Sequence, residues 1–145
     1  LIRIKWPAQE LDALKEPFHA LARLGLHLTF LATGPCMDNE KAVLAVCLPR
    51  RENSSVRNLL KGMGANPEWE RICPAATFVM NGPHFGDRYG ITSGLVSAFE
   101  KASIGLLGLN CTIASIVGVV HGDQLGPAVE ALLTYFEVPA VVRRG

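Results

Sequence analysis

Phe18-His19-Ala20-Leu21-Ala22-Arg23-Leu24-Gly25-Leu26-His27-Leu28 and Val96-Ser97-Ala98-Phe99-Glu100-Lys101-Ala102-Ser103-Ile104-Gly105-Leu106 read as one pattern written twice, 78 residues apart at every position. Each stretch is the tail of an amphipathic helix, then a small residue (Gly25 or Ser103), then an apolar strand. A glycine just past a helix end supplies the left-handed backbone that stops the helix. Similarity at a fixed offset marks a repeated structural unit.

Outward from these stretches the elements recur in the same order. The first copy has a strand at 2–6 and a helix at 11–24. A hairpin of strands 26–32 and 41–48 follows, around the polar turn Pro35-Cys36-Met37-Asp38-Asn39-Glu40. A second helix at 53–62 starts at Asn53 or Ser54, both good N-caps, and a strand at 69–73 closes the copy. The second copy has a strand at 76–80, a helix at 91–102 and a hairpin over 104–120. Asp123 is placed to cap a helix to about Phe136, with Leu125, Val129, Leu132, Leu133 and Phe136 on one stripe, and 140–143 closes. Each copy reads β-α-β-β-α-β. The order predicts an α+β fold of two ferredoxin-like units, 1–74 and 75–145, each an antiparallel sheet with helices on one face. A unit this small leaves sheet edges and one sheet face uncovered. Pairing of the copies, and then of two chains through their hairpins, would cover them, so a homodimer is expected.

Composition narrows the function. Of the 145 residues, 49% are hydrophobic and 19% charged, which excludes disorder as the general state. The net charge of +1 gives no basic excess for a nucleic-acid backbone. The aromatic content of the first copy's middle strands is Phe30 alone, against the stacked aromatics of RNA-binding sheets. Arg50-Arg51 and Arg143-Arg144 read as solvated ends. Residues 102–120 carry no charge and approach the length of a membrane span, yet Asn110, Cys111 and Thr112 break the run and Gly105, Gly108 and Gly118 interrupt it. Two short, buried strands are the expectation there, with no membrane partner. Cysteines at 36, 47, 73 and 111 form no CxxC pair and fit no zinc frame, so reduced, mostly buried thiols in a cytoplasmic protein are expected, with no metal or cofactor. No charged-then-apolar leader opens the chain, and Leu1 stands in place of an initiator Met, so a fragment or trimmed chain is expected.

The segment richest in chemistry is Asn81-Gly82-Pro83-His84-Phe85-Gly86-Asp87-Arg88-Tyr89-Gly90-Ile91, between the second copy's first strand and first helix. It is three residues longer than the matching stretch of the first copy. Its glycines let the backbone approach a ligand closely. It ends where a helix starts, a place that favours a carboxylate or phosphate. Asp87 could take a ligand ammonium, and His84, Phe85, Arg88 and Tyr89 offer polar and aromatic walls. An anion cradle beside one acid is what a free amino acid requires. The competing reading is a plain connection whose Asp87 caps the helix. A small enzyme using His84 and Asp87 as an acid–base pair is a further alternative. However, a three-residue spacing in a glycine-rich loop fixes no geometry, and neither G-x-S-x-G nor a phosphate-binding Lys-Ser/Thr is present. His19, His27 and His121 read as ordinary surface or strand-end histidines.

With the repeat and the loop in view, "FHALARLGLHLTFL" and "VSAFEKASIGLLGL", with D-x-x-G-I at Asp87 to Ile91, resemble ACT domains. The likeness is nearest to the paired ACT region at the C-terminus of aspartokinases, where a helix ending "ALAEAGI" runs into a strand. There a later helix ends in Phe, as Ala128-Val129-Glu130-Ala131-Leu132-Leu133-Thr134-Tyr135-Phe136 does here. The resemblance implies a regulatory rather than an enzymatic module. It would bind a free amino acid between copies and pass the signal to a kinase domain or subunit. Carried across residue by residue, the implied ligand contacts are His84, Phe85, Asp87, Tyr89, Gly90 and Ile91, with Leu106, Leu109 and Asn110. A purely structural dimerisation module is the alternative. The first copy has Pro7-Ala8-Gln9-Glu10-Leu11-Asp12 where the family shows D-x-P-G, so its site is expected to be degenerate. Leu107 and Ile113 fall where lysine-sensing relatives carry acids, so the resemblance implies a small polar or apolar effector, not lysine.

Overall fold

Val46, Leu44, Ile2, Ile4 and Trp6 form the apolar centre of the first unit; Ile2, Ile4 and Trp6 alternate with Arg3 and Lys5, while Leu44 and Val46 lie in the apolar run 42–47. The computed structural model describes residues 1–10, 12, 15–36, 40–49, 54, 58, 68–71, 74–82, 85 and 89–137. Contacts divide the chain into two compact units, Leu1–Thr77 and Phe78–Gly145.

In the first unit, β1 (Ile2–Pro7), α1 (Lys15–Arg23), β2 (Phe30–Pro35), β3 (Lys41–Cys47) and β4 (Glu68–Arg71) build an antiparallel sheet in the order β2-β3-β1-β4. That is the ferredoxin-like order, with β1 central between β3 and β4. Ile2, Ile4 and Trp6 are buried on one face of β1, while Arg3 and Lys5 lie half-buried on the other. Phe18 of α1 packs on the buried face. The helix starts later than the sequence suggests, at Lys15, and the hairpin's first strand starts at Phe30. Residues 26–28 form no ladder, and Thr29 N–H donates to Cys47 O at 3.1 Å at the entrance to the hairpin. Of the expected helix at 53–62, Ser54 and Asn58 are helical and the remainder lies outside the described residues.

β5 (Ala75–Asn81) crosses the boundary between the units, and the second unit carries its larger part with α2 (Ile91–Lys101), β6 (Leu106–Cys111), β7 (Ser115–His121) and α3 (Leu125–Tyr135), in the sheet order β5-β7-β6. This is the first unit's β1-β3-β2 order again; residues 140–143, the expected fourth strand, lie outside the described residues. Phe78, Ile116 and Val120 of the sheet share one core with Leu95 and Phe99 of α2 and Ala128 and Leu132 of α3. Val119 and Val120 point to opposite faces of β7 and both are fully buried. A bulge between Leu106 and Gly108 shifts the β6–β7 register.

Two sequence details are corrected. Asp123 does not cap α3. It is exposed inside a short 3-10 turn, Gly122–Gln124, and α3 starts at Leu125 with no side-chain cap at Gln124. The buried stripe of α3 is also rotated. Ala128 and Leu132 are buried while Val129 and Leu133 are exposed, because the small Ala128 lets the helix sit close to the sheet.

The paired helix ends are the point where sequence and backbone agree most closely. Gly25 has φ +61°, and Ser103, 78 residues later, has φ 55°. Gly25 N–H donates to Ala22 O at 3.0 Å and Leu26 N–H to Leu21 O at 3.3 Å. Ser103 N–H donates to Glu100 O at 3.1 Å and Ile104 N–H to Phe99 O at 2.9 Å. Both are the six-to-one and five-to-two bonds of a Schellman end, made by equivalent residues in the two units. No helix among the described residues is long and apolar enough to cross a membrane.

Candidate functional site

β5 ends at Asn81, and Gly82 N–H then donates to Ala114 O at 3.1 Å, which ties the end of β5 to the turn between β6 and β7. The Phe85 ring packs flat against Gly82, where a side chain would collide with it. The chain re-enters regular structure at Gly90, whose φ of +85° turns it into α2. The first helical bond runs from Gly94 N–H to Gly90 O at 2.8 Å. The N–H groups of Ile91, Thr92 and Ser93 precede any helical acceptor, and Gly90 has no side chain to cap them.

The residues of this first turn belong to a cavity of about 250 Å³ lined by Phe85, Gly90, Ile91, Thr92, Ser93, Cys111, Thr112 and Ile116. Cys111 and Ile116 are register partners at the ends of β6 and β7, so one wall of the cavity is sheet and the other is the first turn of α2. Ile116 is buried and forms the apolar floor; Phe85 and Ile91 are half-buried; Thr92, Ser93, Cys111 and Thr112 are exposed at the mouth. Thr92 Oγ1 and Cys111 Sγ lie 3.7 Å apart, a contact between the helix and the sheet. Thr112 Oγ1 receives Ser115 N–H at 2.9 Å and Ala114 N–H at 3.3 Å and donates to Ser115 O at 3.2 Å, which holds the hairpin turn in shape. No described lining residue carries a charge. A site of this kind offers a positive helix end, an apolar floor and neutral hydroxyl and thiol groups.

Of the residues expected from the sequence, Phe85, Gly90 and Ile91 line this cavity. His84 and Asp87 lie outside the described residues. Tyr89 is fully exposed and does not line it, Leu106 and Leu109 pack on the second unit's core, and Asn110 is exposed beside Cys111. The sequence reading missed Thr92, Ser93, Cys111, Thr112 and Ile116. Thr92 and Ser93 carried a signal, since two hydroxyl residues directly follow the loop in the first turn of a helix. The expectation of mostly buried thiols holds for Cys47 and fails for Cys111, which the end of β6 carries to the surface; Cys36 is half-buried and Cys73 is outside the described residues. Burial pushes the Cys47 thiol above its usual range. Among the described residues no cluster of three His, Cys, Asp or Glu could hold a metal.

No protein-family model matches the sequence, and no curated protein matches it either. Solved structures do share the fold. The regulatory subunit of aspartate kinase from Thermus flavus superposes with a TM-score of 0.82 at 14% identity, covering 94% of this chain and 91% of that one. The ligand-free regulatory subunit from Thermus thermophilus gives 0.80 at 16% identity, with the same coverage of 94% and 91%. The aspartate kinase from Synechocystis gives 0.78 at 16% identity, covering 99% of this chain and 27% of that one. The chain therefore has the fold of these regulatory subunits, the α+β, ferredoxin-like architecture expected from its sequence.

Proposed function

We propose that this chain is a regulatory module that binds a small, uncharged amino acid in the cavity at the start of α2. The observation that carries the reading is an uncapped helix N-terminus whose first residues line a cavity with the buried Ile116 in its wall. The N–H groups of Ile91, Thr92 and Ser93 receive the effector's carboxylate, in a field that favours negative charge. Asp87, in the loop just before Gly90, is the sequence's candidate for the ammonium. A cationic side chain would find no opposite charge among the described lining residues, and burying it unpaired costs several kcal/mol.

The likeness to regulatory subunits of aspartate kinase extends this reading. The chain is non-enzymatic, works in the cytoplasm, and hands its signal to a kinase domain or subunit. Self-association through the β6–β7 hairpin fits the same picture, since among the described residues β6 is an edge strand of its sheet and carries no charge. An effector that prefers one pairing of the copies shifts the population toward it by its difference in affinity. The test is a thermal-shift measurement against each of the twenty amino acids at millimolar concentration. One or a few short neutral amino acids should raise the melting temperature, and Asp87→Ala should remove the shift. No shift with any of them would sink the reading and leave a structural dimerisation module in its place.

A further inference from the structure

Two exposed residues of the cavity wall touch each other, and neither side chain is needed to hold a carboxylate. We infer that Thr92 and Cys111 form a gate that limits the length of the ligand's side chain, an inference resting on the amino-acid reading just given. Thr92 belongs to the first turn of α2 and Cys111 is the last residue of β6. Their Oγ1 and Sγ atoms, 3.7 Å apart, join the helix wall to the sheet wall. Both side chains are exposed while Ile116 is buried below, so the contact lies at the outer end of the cavity. A side chain that starts from a backbone anchored at the α2 N-terminus meets this contact when it extends outward.

The sheet wall cannot easily swing aside. The Thr112 hydroxyl is engaged with Ala114 and Ser115 on the far side of the turn, and Gly82 N–H holds Ala114 O. The helix wall is fixed by the core packing of Leu95 and Phe99. The volume agrees with a short ligand, since about 250 Å³ falls below the roughly 300–1,000 Å³ of sites for drug-sized molecules. Removing atoms from either gate residue therefore lengthens the site without touching the N–H groups that anchor the carboxylate.

The experiment compares the wild-type chain with Cys111→Gly, Thr92→Ala and Cys111→Met, by calorimetric titration with alanine, serine, threonine, valine, leucine and methionine. The two truncations should move the preference toward the longer side chains by about tenfold per added carbon. Cys111→Met should move it toward alanine and serine, and its circular dichroism melt reports whether it is folded. If the wild-type binds a short amino acid and the ranking is unchanged in all three folded variants, the gate is overturned while the binding reading stands. If the wild-type binds none of the six and none of the remaining amino acids, both fall together.

Discussion

Ser103 holds a φ of 55°, a left-handed conformation that costs an L-residue roughly 1–2 kcal/mol. Gly25 occupies the equivalent turn without that cost. Ser103→Gly should therefore stabilise the second unit by roughly 0.5–1 kcal/mol, after the extra freedom glycine gains in the unfolded chain, while Gly25→Ala should destabilise the first by about 1 kcal/mol. Urea denaturation of the two variants checks both signs; a loss on Ser103→Gly would mean the turn is not strained. Gly118 makes the opposite demand. It lies under the Phe78 ring, which sits edge-on to Phe99 at 5.4 Å between centroids and cannot retreat. Gly118→Ala should cost roughly 1–3 kcal/mol through overpacking, and Phe78→Leu in the same chain should recover part of that loss, a coupling that a double-mutant cycle measures. Cys47 links stability to pH. Burial raises its folded pKa above the ordinary value of about 8.5, so its contribution is complete below that pH and is lost as pH rises through the raised value. The urea midpoint of the wild-type chain should fall as pH rises above the ordinary thiol value of about 8.5, and that of Cys47→Ala should fall less over the same interval.

Among the elements, the start of α3 shows how a side chain ties two segments that are distant in sequence. The Gln124 carboxamide accepts Gly105 N–H at 3.1 Å and donates to Ser103 O at 3.3 Å, so the turn leaving α2 is clamped by the residue that opens α3. Gln124→Ala removes both bonds and should cost about 1 kcal/mol, while Gln124→Glu keeps the acceptor, loses the donor and should fall between. Hydrogen exchange at Gly105 is the local readout. Asp123, the more familiar capping residue, drew the sequence reading one position away from the residue that makes these bonds. Strand existence and order were legible because alternation in Ile2-Arg3-Ile4-Lys5-Trp6 and continuous apolarity in β7 each admit only a strand of that burial. The face of α3 was not, because Val129 and Leu133 are as apolar as Leu132 and only the closeness allowed by Ala128 decides which side meets the sheet.

For the whole molecule, the matching helix ends were readable from eleven aligned positions, but the cavity was not, because its walls come from three places in the chain. The loop brings Phe85 and Gly90, α2 brings Thr92 and Ser93, and the hairpin brings Cys111, Thr112 and Ile116. Only the first of these stands out as a loop in the sequence; the hairpin's contribution depends on the Cys111–Ile116 register, which the bulge near Leu106 shifts. Among the described residues the same hairpin leaves β6 at an edge of its sheet as Leu-Leu-Gly-Leu-Asn-Cys, with none of the charges or prolines that keep an edge from pairing. Pairing along that edge predicts a dimer in sedimentation at micromolar concentration. A lysine introduced near the end of that strand, Asn110→Lys, should weaken it by adding the kind of charge that keeps a sheet edge from pairing. Since Asn110 neighbours the cavity but does not line it, the variant should still bind its ligand as a monomer. An effector that favours one pairing would then lose its cooperative response in Asn110→Lys while keeping its site, and sedimentation with and without the amino acid separates the two effects. A chain that stays monomeric at every concentration would remove the edge from the mechanism and leave the cavity to act alone.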